Sequence, residues 1–144
     1  MKIEIKKLQD SAILPERGSV SAAGYDLFAC MESDVVIKPH ETKMIGTGLA
    51  AAIPEGYFGG IFARSGLSSK EGLRPANCTG VVDADYRGEI KVALHNDSEI
   101  ERIVIVGEKI AQLVVLPFLS VEFDEVDTLS ETQRGTGGFG STGK

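Results

Sequence analysis

The chain has 144 residues, 42% of them hydrophobic, and carries 15 basic against 21 acidic side chains, a formal net charge of −6. This length fits one domain that buries roughly 70% of its unfolded surface, so a core forms without a second domain. The acidic balance argues against nucleic acid as a partner, because surfaces that follow a phosphate backbone are basic overall.

Short β-type segments separated by turn residues recur along the chain, and no segment keeps a 3.6-residue apolar period over three turns. They predict strands at residues 3–8, 25–29, 35–37, 43–49, 57–63, 80–82, 89–96, 102–106, 110–116 and 121–124. One helical turn is predicted at residues 65–70, with Ser65 as its cap. Many short strands predict an all-β fold, a jelly-roll-like barrel or sandwich.

The two cysteines, Cys30 and Cys78, show no Cys-x-x-Cys spacing and no paired histidine. We expect reduced, buried thiols rather than a zinc site or a disulfide framework. The first residues alternate charge with isoleucine instead of forming an apolar signal core, and the apolar run 113–116 is too short to cross a bilayer. The sequence therefore predicts a cytoplasmic protein without a membrane partner.

Residues 80–90 are the best candidate for catalysis, because an apolar strand runs there into a polar turn and then into an alternating strand. This pattern predicts a hairpin that carries function at its bend. Asp83, at the mouth of the strand, can hold a water and accept its proton as a general base, while the turn directs Asp85 elsewhere. Alternatively, Asp83 and Asp85 only initiate the turn through bonds to the backbone.

Three further segments place polar side chains beside apolar strands. Arg64, Ser65 and Gly66 stand together at a strand end and suit a phosphate, or else form a helix cap beside a surface arginine. Asp26 lies between apolar neighbours, so it either needs an arginine or a hydrated metal as a partner or is an ordinary turn residue. Gln112 either bonds a ligand or faces solvent on an edge strand.

Residues 134–144 contain five of the chain's 17 glycines and no acid. Two phosphate-binding patterns match this stretch by letter, but both require a strand before the loop and a helix after it, which the stretch does not offer, so dinucleotide and ATPase functions are rejected. Bare amides and Arg134 can wrap phosphate oxygens while Phe139 offers a stacking face. The alternative is a plain glycine-rich linker.

Taken together and in this order, the segments between residues 23 and 143 resemble the five motifs of the trimeric deoxyuridine triphosphate nucleotidohydrolases, the dUTPases. The most specific block runs from Asn77 through Gly80-Val-Val-Asp83-Ala-Asp-Tyr86-Arg-Gly88. The resemblance implies hydrolysis of dUTP to dUMP and pyrophosphate with Mg²⁺, by attack of water on the α-phosphorus. That reaction limits uracil incorporation into DNA and supplies dUMP for thymidylate synthesis. The resemblance also implies a homotrimer with shared active sites.

The resemblance gives each candidate a role. Asp83 corresponds to the general base, Tyr86 packs against the deoxyribose, and the hairpin backbone around Asn77 and Gly80 bonds the uracil edge. The positions that hold the phosphates are Arg64, Ser65, Gly66, Gln112 and Arg134. Asp26 is associated with Mg²⁺ through water, and Phe139 stacks over uracil. Residues 1–127 then form the domain, and residues 128–144 form a flexible arm that closes over the site.

The match to the family pattern is not complete. Ala63, Glu71 and Lys109 depart from it, and these departures bear on loop shape and on contacts of Lys109. Two alternative functions stay open. A dCTP deaminase of the same fold would release ammonia from dCTP, and a nucleotide-sensing regulatory module would bind without turnover.

Overall fold

A computed structural model describes residues 1–138 of the chain. Regular structure in this range consists of twelve β-strands and one π-helical turn, Leu67–Glu71. The strands are β1 Glu4–Lys7, β2 Glu16–Arg17, β3 Tyr25–Phe28, β4 Val35–Ile37, β5 Thr42–Gly46, β6 Leu49–Ala52, β7 Tyr57–Phe62, β8 Leu73–Pro75, β9 Thr79–Val82, β10 Lys91–Asn96, β11 Arg102–Val104 and β12 Lys109–Pro117. The all-β prediction is confirmed. Across these residues, every helical segment falls short of the length and apolarity that a bilayer span requires.

The strands pair antiparallel in four sheets. The largest has the order β2-β3-β12-β7-β9, the second has the order β5-β10-β8, and β1–β6 and β4–β11 form two small sheets. Buried side chains from the two larger sheets belong to one core cluster, for example Leu27 on β3 and Leu94 on β10. Within residues 1–138 the sheets do not join into a closed barrel, so the sandwich form of the jelly-roll prediction describes the fold.

Strand β10 shows how the pattern of the sequence positions the core. Val92, Leu94 and Asn96 are buried, whereas Lys91 is exposed and His95 is only partly covered. This is the alternation expected of a sheet with one solvated face.

The predicted strand 43–49 is wrong as one element, because the chain bends between β5 and β6. Gly48 has a φ of +65°, in the left-handed region, and a Cβ built on it would lie 2.8 Å from the Cys30 sulfur. Only glycine satisfies both conditions without strain. The bend sends β5 to pair with β10 and β6 to pair with β1.

Residues 121–124 are also not a strand, and their side chains are exposed. Their alternation of apolar and acidic residues suits a strand, but no described strand pairs with them, and an extended segment without a neighbour makes no ladder. Strands β2 and β8 escaped prediction because they are short and carry Glu, Arg and Pro, which are uncommon in strands.

Residues 80–90 do not form the predicted hairpin. β9 pairs with β7 in the five-stranded sheet, whereas β10 pairs with β5 and β8 in the other large sheet. The polar turn therefore crosses between sheets, and its conformation depends on contacts with other segments rather than on a ladder between its own flanks.

Two local predictions also need correction. Cys30 is buried, but Cys78 is exposed and has a φ of 59° in the turn between β8 and β9. The π-helical turn is capped by Gly66 without a side-chain hydrogen bond, so Ser65 is not its cap. Ser65 instead offers its carbonyl to the hydroxyls of Ser68 and Ser69.

Asn96 is fully buried and has each of its polar atoms bonded. Its Nδ2 donates to the carbonyls of Ile37, at 3.0 Å, and Ile100, at 2.8 Å. Its Oδ1 accepts from the Ser98 amide at 2.9 Å and the Ser98 hydroxyl at 2.7 Å. The side chain thereby ties the end of β10 to β4 and to the loop before β11.

We expect Asn96→Ala to lower the free energy of unfolding by about 2–4 kcal/mol, because it leaves buried carbonyl and amide groups unpaired. Ser98→Ala removes only a hydroxyl and is the control, with an expected cost of about 1 kcal/mol. Urea unfolding followed by circular dichroism at one protein concentration measures both. Equal losses for the two variants would contradict the assigned role of Asn96.

Candidate active site

A cleft of ≈ 250 Å³ lies along β9 and the turn that follows it. Four residues singled out from the sequence meet there, namely Asn77, Gly80, Asp83 and Tyr86. The remaining lining residues are Met44, Ile61, Val81, Val82, Glu89, Ile90 and Lys91. The cleft therefore combines an apolar floor with two carboxylates, one ammonium and one phenol.

The floor of the cleft is shaped by Gly80 on the edge strand β9. Gly80 pairs with Ile61 of β7, and a Cβ at this position would lie 3.2 Å from the Cβ of Ile61 and 3.4 Å from the Asn77 amide nitrogen. The tight turn before β9 is closed by bonds from the Cys78 amide to the Pro75 carbonyl and from the Thr79 amide to the Asn77 carbonyl. Gly80 is buried in this strand, and a larger residue there would have to displace Ile61 or Asn77.

Asp83 is exposed on the wall of this cleft, and Asp85, two residues on, is not among the lining residues. The turn is closed by the main chain, from the Tyr86 amide to the Asp83 carbonyl at 3.2 Å. The turn thus separates the two carboxylates as the sequence predicts.

Tyr86 is held by its own loop. Its hydroxyl donates to the Glu89 carbonyl at 2.9 Å, and a Cβ on Gly88 would lie 2.5 Å from that hydroxyl oxygen. Arg87 donates to the carbonyls of Ala84 and Tyr86 at 2.6 and 2.9 Å. The bond to Glu89 holds the Tyr86 ring, and the Arg87 bonds hold the main chain of the turn.

A second cluster lies where β3, β7 and β12 come together. Arg64 Nε donates to Asp26 Oδ1 at 3.0 Å, and Lys109 Nζ lies 2.8 Å from Asp26 Oδ2. Arg64 also donates to the Lys109 carbonyl at 3.3 Å. The Asp26 side chain is only 15% exposed, so the pattern of one carboxylate between two cations leaves a net positive charge at a largely buried position. This arrangement attracts anions.

Three further candidate residues adjoin this positive cluster. Gln112 is the pairing partner of Asp26, and Ser65 and Gly66 directly follow Arg64. Gln112 pairs with Asp26 across β3 and with Phe62 across β7, and its Nε2 donates to the Ala63 carbonyl at 2.9 Å. Ser65 and Gly66 are exposed where the chain leaves β7. The Gln112 side chain therefore bonds the main chain just after β7, and it does not lie on an edge strand as one of the two alternatives supposed.

The cleft and the positive cluster are separate within one chain. The row of paired residues Asp26, Gln112, Phe62 and Thr79 crosses three strand spacings, roughly 14 Å in all. None of Arg64, Ser65, Gly66 or Gln112 lines the cleft. Arg134 is exposed, donates to the Gly137 carbonyl at 2.7 Å and does not line the cleft, and Phe139 lies outside the described residues.

The protein's own oxygen ligands do not form a metal cage in residues 1–138, where no group of three acidic, histidine or cysteine side chains could hold an ion. Asp26 already has one oxygen against Arg64 and the other against Lys109. The described residues therefore do not hold Mg²⁺ by themselves, and the ion would enter with a bound phosphate chain and water as its main ligands, which is the usual way it binds in nucleotide enzymes.

Glu89, Lys91 and Lys109 were not predicted as site residues. Glu89 and Lys91 fit the polar face of an alternating strand, and Lys109 appeared only as a departure from the family pattern. Glu89 and Lys91 reach the cleft because the chain crosses between sheets from residue 83 to residue 90. Lys109 lies at the register shift in β12, between Lys109 and Ala111. Neither is visible in residue spacing.

One ion pair with shifted pKa values lies outside the cleft. The hydrogen bond from Arg74 Nε to Asp97 Oδ2, at 2.5 Å, lowers the pKa of the Asp97 carboxyl and raises the pKa of the Arg74 guanidinium. Neither residue lines the cleft. The pair is a surface contact that links β8 to the residue after β10.

Comparisons with known proteins show the family and the overall fold of the chain. Residues 10–143 match the sequence model of the dUTPase family. The chain is 50% identical over 143 residues to a deoxyuridine 5'-triphosphate nucleotidohydrolase of Hydrogenobaculum sp. (strain Y04AAS1), with 99% of each chain covered. A dUTPase of Staphylococcus bacteriophage 80alpha, solved with dUPNHPP, matches with a TM-score of 0.92 at 34% identity over 99% of each chain.

One further structure bears on metal binding. A variant dUTPase of phage phi11 of S. aureus, whose structure describes the coordination of a structural Mg(II) ion, matches with a TM-score of 0.82 at 29% identity over 91% of this chain and 100% of that one.

We expect Asp26→Ala to destabilise the fold more than Arg64→Ala, by about 2 against about 1 kcal/mol. Loss of the carboxylate leaves two cations facing each other, whereas loss of Arg64 leaves Asp26 paired with Lys109. Urea unfolding at low salt measures both, and added pyrophosphate should restore stability to Asp26→Ala more than to the wild type. The reverse order of stability would show that this cluster is not an anion site balanced by Asp26.

Proposed function

The chain belongs to the dUTPase family and hydrolyses dUTP to dUMP and pyrophosphate, and we propose that Asp83 is the general base of this reaction. The observation that carries the proposal is that Asn77 from the turn before β9, Gly80 on β9, and Asp83 and Tyr86 from the turn after it all line one cleft. The reaction limits uracil incorporation into DNA and supplies dUMP for thymidylate synthesis. A cytoplasmic location stays a prediction of the sequence.

The chemical step assigned to Asp83 is removal of a proton from water. A carboxylate on the wall of a partly apolar cleft orients a water, accepts its proton and directs the oxygen at the α-phosphorus. A new bond then forms from this oxygen to phosphorus, the bond from phosphorus to the bridging oxygen breaks, and pyrophosphate leaves with that electron pair. Exposure of Asp83 to solvent, together with the main-chain closure of its turn, supports this role.

The cleft also accounts for selection of base and sugar. Backbone groups near Asn77 and Gly80 would bond the uracil edge, and cytosine, with donor and acceptor exchanged, would leave buried groups unpaired. Little room exists over Gly80, where Ile61 and Asn77 approach closely, which disfavours the methyl group of thymine. Tyr86, fixed by its bond to Glu89, would pack against the deoxyribose and exclude a 2′-hydroxyl.

The positive cluster of Arg64, Lys109 and Asp26 is the proposed binding site of the phosphates. Arg64, Ser65 and Gly66 would supply a guanidinium, a hydroxyl and an amide just after β7, and Gln112, paired with the last residue of β7, would supply a carboxamide. Mg²⁺, when bound, would offset the charge of the triphosphate, and Asp26 would hold it through water. Arg134 is assigned to the γ-phosphate, and Phe139 to stacking over uracil.

We also propose that the active protein is a homotrimer. Support comes from the separation of the cleft from the phosphate cluster within one chain, so that a complete site needs residues from other copies. Apolar side chains after the last strand are exposed and suit contact with a neighbour, with Leu119 at 87%, Phe123 at 95% and Leu129 at 87% exposure. Residues 1–127 would form the domain and residues 128–144 the arm that reaches a neighbouring site.

Two alternatives are not favoured. A dCTP deaminase would act on the base, whereas the family match is to the dUTPases. A regulatory module without turnover would not need Asp83 placed in the cleft with the groups that select base and sugar.

Asp83→Asn should still bind dUTP but lower kcat by about 10²–10⁴-fold, because an amide cannot accept the proton. The measurement is pyrophosphate release from dUTP, dTTP, dCTP and UTP, with and without Mg²⁺. Asp85→Asn is a matched control, since its carboxylate lies outside the cleft, and should keep wild-type turnover. Ammonia release from dCTP, or full activity of Asp83→Asn, would overturn the proposal.

Deletion of residues 134–144 should leave the fold intact and lower kcat/KM for dUTP about 10²-fold or more, since the arm is proposed to supply phosphate and base contacts and its described residues, 134–138, are not buried. Circular dichroism and sedimentation check the fold and the assembly, and steady-state kinetics give the activity. Unchanged kinetics would remove the closing role of the arm.

A further inference from the structure

Lys91 is the cationic side chain of the cleft and has not been given a role so far. The charged residues among the described residues that line the cleft are Asp83, Glu89 and Lys91. Lys91 Nζ lies 3.3 Å from Glu89 Oε2, and this is the one ion pair that Lys91 makes within residues 1–138. The positive charge that the cleft offers a ligand therefore depends on how far Glu89 neutralises this ammonium.

The carboxylate of Glu89 is held at the bend between β5 and β6. Its Oε1 accepts the Gly48 amide proton at 3.0 Å, and a Cβ on Gly46 would lie 2.5 Å from the same oxygen. The Glu89 side chain is 21% exposed, whereas the Lys91 side chain is 49% exposed. The carboxylate thus divides its two oxygens between a main-chain donor and the lysine. The ammonium keeps about half of its side chain open to water or to a ligand.

The neighbouring strand leaves the Lys91 side chain uncovered. Lys91 is the first residue of β10 and pairs with Gly46, the last residue of β5, which has no side chain to place over the lysine. Two positions on, Ala93 pairs with Met44, whose exposed side chain also lines the cleft. Such a site suits a lysine, because apolar surface lies near its stem while its charged end stays in contact with solvent.

The proposed reaction brings a second anion into this cleft. Asp83 directs a water at the α-phosphorus in that scheme, so the α-phosphate has to approach the wall that carries the Asp83 carboxylate. Two negative groups in a partly apolar cleft repel each other, and a nearby cation offsets the repulsion. The positive cluster around Asp26 is separate from the cleft within one chain. Lys91 is the cation that the cleft itself supplies.

We propose that Lys91 is a substrate-binding residue whose ammonium contacts the α-phosphate beside Asp83. The inference rests on the proposed function, which places that phosphate in the cleft. A purely structural role would limit Lys91 to its ion pair with Glu89 at the start of β10. The two roles differ in one respect, since only a phosphate contact makes the effect of losing Lys91 depend on whether the ligand carries a phosphate.

The test compares two ligands with the same base and sugar. They are dUMP, which carries the α-phosphate, and deoxyuridine, which does not. Titrations followed by amide NMR shifts at one salt concentration give both values of Kd. Lys91→Met removes the charge but keeps a stem of similar length, and it should weaken dUMP binding about 5–10-fold while leaving deoxyuridine binding unchanged. Lys91→Arg keeps the charge and should retain most of the dUMP affinity.

The chain offers a matched control in Lys43 on β5. Its Nζ lies 3.8 Å from Oε1 of Glu41, which is also two residues earlier in the chain, and its side chain is 40% exposed, but it does not line the cleft. Lys43→Met therefore removes a similarly exposed lysine with the same spacing from its acidic partner. Its affinity for both ligands should equal that of the wild type.

Four results would overturn the inference. They are a wild-type dUMP affinity in Lys91→Met, an equal loss of dUMP and deoxyuridine affinity in that variant, an equal loss of dUMP affinity in Lys43→Met, and an equal loss in Lys91→Arg. If Lys91→Met does not fold by circular dichroism, Lys91→Gln removes the same charge, and a wild-type dUMP affinity there is equally decisive. Full turnover of dUTP by Asp83→Asn would instead refute the proposed function.

Discussion

Anchoring of residues 89 and 90 to the β5–β6 bend is the constraint on which the cleft depends. The chain passes here from the edge strand of one large sheet to the middle of the other, so no ladder between β9 and β10 fixes the turn. Hydrogen bonds from Thr47, Gly48 and Leu49 to residues 89 and 90 fix this segment in place of a ladder. They leave the turn that carries Asp83 exposed while its far end is held in the core, which suits a group that must meet solvent and ligand.

Charge is distributed unevenly in a way that resolves an apparent conflict. The chain carries a net charge of −6, yet its proposed substrate is a polyanion. The charge near Asp26 has the opposite sign from that of the whole chain, because two cations, Arg64 and Lys109, share its single carboxylate. The carboxylate reduces the repulsion between the two cations, and the surplus positive charge suits the phosphate that the proposed function places there.

The geometry of the five-stranded sheet separates the two halves of the site. β7 pairs with β12 on one side and β9 on the other, so it lies between the phosphate cluster and the cleft. On β7, Phe62 pairs with Gln112 beside the positive cluster, whereas Ile61 pairs with Gly80 and lines the cleft. In the proposed homotrimer, residues from other copies would complete each site, and the exposed apolar side chains after β12 suit such contacts.

Much of the fold was accessible from local sequence, because turn residues divide the chain and apolar side chains alternate clearly in β10. The same holds for Asp83, Tyr86 and Gly80, whose block is close in sequence and whose resemblance to the dUTPases is specific. The sequence also singled out Arg64, Asp26 and Gln112, though not which of them touch.

Tertiary structure alone decided how these segments meet. The separation of β5 from β6 follows from a left-handed glycine packed on Cys30, and the crossing of residues 80–90 follows from pairing partners far along the chain. Lys109 reaches Asp26 through an irregular register in β12, and Glu89 meets Gly48 across 41 residues. Residue spacing predicts a strand and its faces, but long-range pairing chooses the neighbour, since many partners satisfy the same alternation.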